Sequence, residues 1–346
     1  MAGPVSVALT CEPSFFTARA IEGHRHETVV AEDADGRVIA LGNRSVRSVY
    51  LNGRMAQVGY LGHLRVETDW RRRTSLLRQG FAMISRARRS DEVPYDLTSI
   101  VADNLIARRL LGANLKGLPS YQARETYVTL LLPVPSRGRP WTDGALEIRP
   151  GAPGALLDIA ACLQRNHRRF QFAPVWTERA LRSSRETPNL HPDDFLVARR
   201  EGRVVGCLAQ WDQRPFKQVV VHGYDGLVGR WRPVINALAP ALHAPVLPRP
   251  GQTLASEFLS HVAVDHDDPE VLEALIRAAQ ASGRRRRVRN QIMGFSARHP
   301  LLEPVQRRFG HRAFVSDLYS VHWPEHDRVD QFDPDDRPSH MDVALL

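Results

Sequence analysis

Apolar and polar positions follow the same order in two stretches of the chain. In the first, apolar runs flank "DADG" in "ETVVAEDADGRVIALGNRSV" (27–46), which predicts a β-hairpin. "VYLNGRMAQVGYLGHLRVE" (49–67) holds a second turn signal, "NG", between two β-prone runs. After Arg73 the period changes. Leu76, Leu77, Gly80, Phe81 and Ile84 recur at helical spacing, and the segment ends in "SRARRSDEVP", whose basic residues suit a helix C-terminus. "YDLTSIVA" reads as a buried strand. "DNLIARRLLGAN" reads as a short helix capped by Asp103 or Asn104, and "ETYVTLLLPV" as a last strand.

The second stretch repeats this order. "LEIRP" reads as a strand, "GALLDIAACLQRNH" as a helix, and "FLVARREGRVVGCLAQW" as a hairpin around Glu201-Gly202. "SEFLSHVAVDHDDPEVLEALIRAAQ" is strand then helix, followed by strand "RNQIMGFSA", helix "HPLLEPVQRRFG" and strand "FVSDLYSVHW". "YLGHLRVETD" (60–69) aligns without a gap on "FLSHVAVDHD" (258–267). A repeated strand–helix–strand unit predicts two similarly folded α/β (α+β) domains. Their boundaries read as 1–132 and 145–325, with the Pro- and Gly-rich "PVPSRGRPWTDG" (133–144) as linker. The second copy carries an insertion at about 212–251, with a strand "KQVVVHGY" and a helix "WRPVINALAPAL", of a length that suits a lid or an interface. The acidic tail 326–346 is expected to be largely mobile.

Composition narrows the class. With 43% hydrophobic and 25% charged residues, the chain is globular rather than disordered. The net charge is +9, and all but two of the 47 basic residues are arginine. Arginine grips phosphate and carboxylate as a planar fork, although GC-rich coding also enriches it. The three cysteines are widely spaced and form no CxxC pair, so no disulfide framework or zinc site is expected, and a reducing cytoplasm fits. The N-terminus does not read as a signal peptide, and no apolar run approaches the roughly 20 residues that span a bilayer.

The chemistry concentrates at "LRVETDWRRRTSLL" (64–77). A strand that runs through a turn into a helix start leaves backbone N–H groups without internal partners, and these attract anions. Arg71, Arg72 and Arg73 add full charges there, so a pyrophosphate would meet the amides of 72–77 with guanidinium groups at the rim. This stretch resembles the cofactor motif of the GNAT-type N-acetyltransferase superfamily, in which (Arg/Gln)-x-x-Gly-x-(Gly/Ala) opens a helix over the coenzyme A pyrophosphate. The resemblance extends over nearly the whole chain as a tandem pair. It implies two GNAT-like domains, each a mixed, mostly antiparallel twisted sheet flanked by helices. Leu64, Arg65 and Val66 match the strand end that meets the acetyl-CoA pantetheine, and Arg71 matches the first motif position. Thr74 and Leu76 stand where Gly or Ala is usual, with Ser75 between them. Asn104 and Ala107 match the family's Asn-x-x-Ala feature, whose Asn contacts the pantetheine arm. Leu111 occupies the position of the usual thiolate-protonating Tyr. The matching loop of the second copy, "DHDDPEVLE", would repel a pyrophosphate, so one acetyl-CoA site is expected, in the first domain.

The resemblance implies acetyl transfer from the thioester to a primary amine on a small molecule or peptide, with a base to take the amine proton. Tyr60 stands where some members carry that base. It is either a substrate-lining hydroxyl or a half-buried strand aromatic. His63 has opposite strand parity and is expected to face away from Tyr60, while its repeat partner His261 suggests a shared structural role. His222, Tyr224 and Glu257 are weaker candidates for an acceptor groove, and Glu67 is expected to pair with the arginine run. Two rival readings remain open: a non-catalytic acyl-CoA-binding scaffold, and a basic nucleic-acid-binding module. No aromatic residues interleave "RRRRVRNQ" (284–291), so specific nucleic-acid binding is not expected. A homodimer is compatible with the sequence but not specified by it.

Overall fold

The two-residue turns set the registers. Asn52 and Gly53 have φ of 53° and 76°, and Glu201 and Gly202 have 52° and 77°. This is the left-handed pair that tight hairpins need. The computed structural model describes residues 5–71, 73–88, 93, 96–113, 115–138, 146–224, 226–238, 247–323 and 333–346. Arg72, half of the expected linker and part of the tail lie outside them.

In chain order the first pass runs β1 (Val5–Thr10), α1 (Phe15–Ala20), β2 (Arg25–Glu32), β3 (Val38–Leu51), β4 (Arg54–Val66), α2 (Thr74–Ala87), β5 (Asp96–Val101), α3 (Leu105–Gly112) and β6 (Ser120–Pro133). The second runs β7 (Glu147–Pro150), α4 (Leu156–His167), α5 (Glu178–Leu181), β8 (Phe195–Arg200), β9 (Arg203–Trp211), β10 (Gln218–Tyr224), α6 (Gly226–Leu238), β11 (Ser256–Val264), α7 (Pro269–Arg285), β12 (Asn290–Ser296), α8 (Leu302–Arg308) and β13 (Arg312–His322). The helices form because their apolar positions recur on one side. α2 buries Leu77, Phe81 and Ile84, and α7 buries Leu272, Leu275, Ile276 and Ala279.

Eleven strands form one sheet in the order β2-β3-β4-β5-β13-β6-β12-β11-β9-β8-β7. Two neighbouring pairs, β4/β5 and β11/β12, are parallel, and the other pairs are antiparallel. The repeat does not divide this sheet along the chain. β13 lies between β5 and β6, and β6 lies between β13 and β12, so the last strand of each copy is built into the other. The sequence boundaries near 132 and 145 therefore do not mark a gap in the sheet.

The two parallel junctions are pinned alike. Asp96 is fully buried beside Gly59, where a Cβ would overlap its carboxylate. Arg44 Nε donates to Asp96 Oδ1 at 2.8 Å and Trp323 Nε1 to Oδ2 at 2.6 Å. Arg88, just past α2, lies 3.5 Å from the same carboxylate. In the second copy Glu257 takes Gly59's place, and Gln291 takes that of Asp96. Glu257 accepts from Gln210 at 2.9 Å and Gln291 at 2.8 Å, and pairs with Arg286, just past α7, at 2.7 Å. Glu257 is thus a buried structural group, not a lining of an acceptor groove.

One pairing has no signal in the sequence, and the expectation for the tail is corrected. β1 leaves the main sheet and pairs antiparallel with β10 of the insertion. The insertion is therefore held by the chain's own first strand. The tail is not mobile throughout: within 333–346, Met341, Ala344 and Leu345 are buried, and Tyr127 Oη donates to the Met341 carbonyl. Among the described residues no helix is long and apolar enough to cross a membrane.

Candidate functional site

β4 and β5 pair only at Gly59↔Asp96 and Tyr60↔Leu97, then diverge. Beyond that point the main chain of 61–66 has no strand partner on its β5 side. At the apex Thr98 Oγ1 donates to the Leu61 carbonyl at 2.8 Å, and the hydroxyls of Tyr60 and Ser99 are 2.6 Å apart. Burial pushes the Tyr60 hydroxyl up to about 12, partly opposed by its Ser99 bond.

His63 sits in a β-bulge. Asn43 pairs with Gly62 and Leu41 with Arg65, so β4 carries one extra residue, and His63 has φ of 56°. The bulge breaks strand parity, which corrects the expectation that His63 faces away from Tyr60. Asn43 lies opposite Gly62, on the face that Tyr60 shares, and its Nδ2 donates to Glu22 Oε2 at 3.1 Å. His63 Nε2 reaches Oε1 of the same Glu22 at 2.9 Å. Glu22 is 3% exposed and also pairs with buried Arg19. Burial pushes its carboxyl up, but the His63 hydrogen bond and the charge of Arg19 outweigh this and hold it below the ordinary value. Lys217, contributed from the second copy next to β10, is pushed down to about 8 by burial, with the charge of Glu22 opposing. Glu22, Asn43 and Lys217 belong to no motif. Packing between distant segments, invisible in one of them, brings Glu22 and Asn43 together at His63 and sets Lys217 where its charge acts on Glu22.

The helix start beyond β4 is open. α2 has no side-chain cap and no acidic residue in its first turn. Arg71 folds its Nε back to the Val66 carbonyl at 3.1 Å, and Arg73 lies 3.9 Å over the Trp70 ring. Neither has a carboxylate partner among the described residues; Glu67 is 3.9 Å from Arg37 instead. Thr74, Ser75, Leu64 and Arg65 are exposed, Leu76 is half-buried, and Val66 packs beneath α2. Asn104 caps α3, its Oδ1 accepting from Ala107 N at 3.2 Å, so its carbonyl is engaged by its own helix. Leu111 is a core residue.

The second copy repeats the geometry and closes it. β11 and β12 part after Phe258↔Ile292, and His261 sits in the matching bulge with φ of 53°. Yet the His261 ring is fully buried against Trp176, 4.2 Å between centroids, whereas the His63 side chain keeps 18% exposure. Burial drives His261 well below its ordinary pKa. Its backbone N–H is taken by Asp342 at 2.8 Å. The helix start that would meet a phosphate is filled as well. Asp268 caps α7 by accepting from Glu270 N and Val271 N. Asp265 and Asp267 are held by Arg165 and Arg169.

Solved structures share this architecture. One is a GCN5-related N-acetyltransferase from Sphaerobacter thermophilus, at TM-score 0.55 and 16% identity over 87% of this chain and 82% of that one. The fold is that of the GCN5-related N-acetyltransferases. A fungal glucosamine N-acetyltransferase region matches at TM-score 0.57 and 13% identity, over 92% of this chain and 38% of that multi-domain one. Saccharomyces cerevisiae N-myristoyltransferase with bound myristoyl-CoA matches at 0.53 and 10% identity, over 99% of this chain and 92% of that one. That likeness over almost both full lengths fits a tandem GNAT fold. No family model and no curated protein sequence matches the chain.

Proposed function

We propose that the protein is an acyl-CoA-dependent N-acyltransferase that moves an acetyl group to a primary amine in a ternary complex, with one cofactor site, in the first copy. The observation that carries the reading is the contrast between the copies. Both have the parted strands and the bulged histidine, but only the first keeps an uncapped helix start at which Arg71 and Arg73 have no carboxylate partner among the described residues. The pyrophosphate would rest on the amides at the start of α2, with Arg71, Arg72 and Arg73 around it. The pantetheine would run along the unpaired main chain of Leu64, Arg65 and Val66.

His63 is the proposed base. With Nε2–H donated to Glu22, the free Nδ1 can take the amine proton as nitrogen attacks the thioester carbon. A β4 backbone N–H would stabilise the developing oxyanion. The C–S bond then breaks. Tyr60, at about 12, is a far weaker acid than a thiol near 8.5. It would hold the departing thiolate by a hydrogen bond rather than protonate it. The three cysteines are free, which suits a reducing compartment.

The test is calorimetric titration with acetyl-CoA and myristoyl-CoA, on wild type and on Arg71→Ala/Arg73→Ala, followed by thiol-release assays on a panel of amines. One acetyl-CoA site weakened in the variant, with amine-dependent thiol release, is expected. Binding without turnover on any amine would replace catalysis with a scaffold role. Absence of binding by folded protein would end the acyl-CoA reading.

A further inference from the structure

A second basic site shares no lining residue with the helix start of α2. A cavity of about 570 Å³ opens between α6, the 247–255 segment and the start of β12. Three arginines line it, Arg232, Arg249 and Arg289, and among the described residues no Asp or Glu does. Elsewhere in the chain arginines such as Arg165, Arg169, Arg214, Arg277 and Arg298 each hold an acidic partner. None of these three does among the described residues. Like charges gathered around one cavity repel each other, and an anion that enters removes that cost.

The walls are built rather than loose. Asn236 clamps Leu247 in both directions, its Nδ2 donating to the carbonyl at 2.9 Å and its Oδ1 accepting from the N–H at 2.7 Å. Tyr224 Oη donates to the Pro248 carbonyl at 2.8 Å, and Gly251 N–H to Val221 at 2.7 Å. Arg289 hangs from a backbone fixed on both sides, its N–H donating to Ala255 and its carbonyl accepting from Val134. Leu247, Pro248 and Ala255 add an apolar wall. The volume lies in the ~300–1,000 Å³ range of small-molecule sites. The residues that line the cavity include none of Glu22, Asn43, Tyr60 or His63.

We infer that this cavity binds a phosphorylated small molecule, its phosphoryl oxygens held by the guanidinium forks of Arg232, Arg249 and Arg289 and its organic body against the apolar wall. The inference does not depend on acyl transfer. Its test uses inorganic pyrophosphate as the probe, titrated calorimetrically at low salt into the Arg71→Ala/Arg73→Ala protein, so that the helix start of α2 does not contribute. One remaining site is expected. Adding Arg249→Ala/Arg289→Ala should weaken it ~10-fold or more, while Arg54→Ala/Arg179→Ala, which removes two exposed arginines elsewhere, should not. Three results would overturn the assignment: no pyrophosphate binding in the Arg71→Ala/Arg73→Ala background, no change on removing Arg249 and Arg289, or an equal loss with the control pair. Acetyl-CoA titration of the Arg249→Ala/Arg289→Ala single-site variant, expected to match wild type, separates this outcome from the fate of the acyl-CoA site.

Discussion

His63 and His261 hold the same bulge position, yet their surroundings assign them opposite work. His63 keeps 18% side-chain exposure and bonds a buried carboxylate, while His261 is packed among aromatic rings with its imidazole wholly buried. His63→Ala should therefore lower kcat/KM by about 10²–10⁴-fold, the usual worth of a general base, with the smaller drop in melting temperature of the two, that of the lost hydrogen bond to Glu22. His261→Ala should do the reverse, lowering the melting temperature while folded protein retains its rate; thiol release and thermal melts on both variants decide. Glu22 makes a pH prediction. Its folded pKa lies below its unfolded one, so its charged contacts stabilise the fold above the ordinary carboxylate range and lose that contribution as pH falls through the folded value. The stability gap between wild type and Glu22→Gln in urea titrations should be full at pH 7 and shrink on acidification below pH ~4. A gap that stayed constant would mean that hydrogen bonding alone, and not charge, anchors His63. Neither role was open to strand parity. One inserted residue turned His63 to the other face, and its partner lies 41 positions away in a segment without a motif.

Helix starts tell the two copies apart more sharply than their strands do. Asp268 satisfies two amides at the start of α7, whereas α2 has no such cap. Asp268→Ala should cost about 1 kcal/mol of stability, as N-cap removals do, and leave acetyl-CoA affinity unchanged, which denaturant melts and calorimetry can check. The parallel junction is a second element-level device. Asp96 fills the space above Gly59, so Gly59→Ala forces either the carboxylate or β5 to move. A loss of 1–3 kcal/mol or more is expected in the same melts, the usual range for overpacking a tight core. Much of this level was legible beforehand. The "NG" and "EG" turns, the helical period after Arg73 and the 60–69/258–267 alignment gave the elements and the repeat, because turn chemistry and burial period are local properties. The Asp96 and Glu257 junctions were not legible, because their partners come from two or three other strands and a helix end. The same holds for β1, whose pairing with β10 spans more than 200 residues.

At the scale of the molecule, the interleaved strands tie the two copies into one cooperative unit. Each copy places its last strand two positions from its preceding one, and the strand in between is the other copy's. A fragment covering 1–138 would keep β5 and β6 but lose β13, which joins them. It would also lose Leu318 and Val321, both fully buried, and Trp323, whose indole donates to Asp96. Burial of each such side chain contributes about 1.5–3 kcal/mol, so three of them rival the 5–15 kcal/mol that typically holds a domain folded. The fragment 146–346 would in turn lose β6, with Leu130 and Leu132 buried at its centre. Neither fragment should fold alone, while the two expressed together should assemble and copurify. The intact chain should unfold in one urea transition, monitored by both tryptophan fluorescence and far-ultraviolet dichroism. Two separate transitions, or a well-folded 1–138, would mean that β6 can settle against β5 without β13. The open copy would then not need the sealed one to hold its sheet together. With the interleaving intact, the sealed copy has a physical task even without a cofactor: it supplies the strand against which β5 is held, and the Lys217 charge that acts on Glu22.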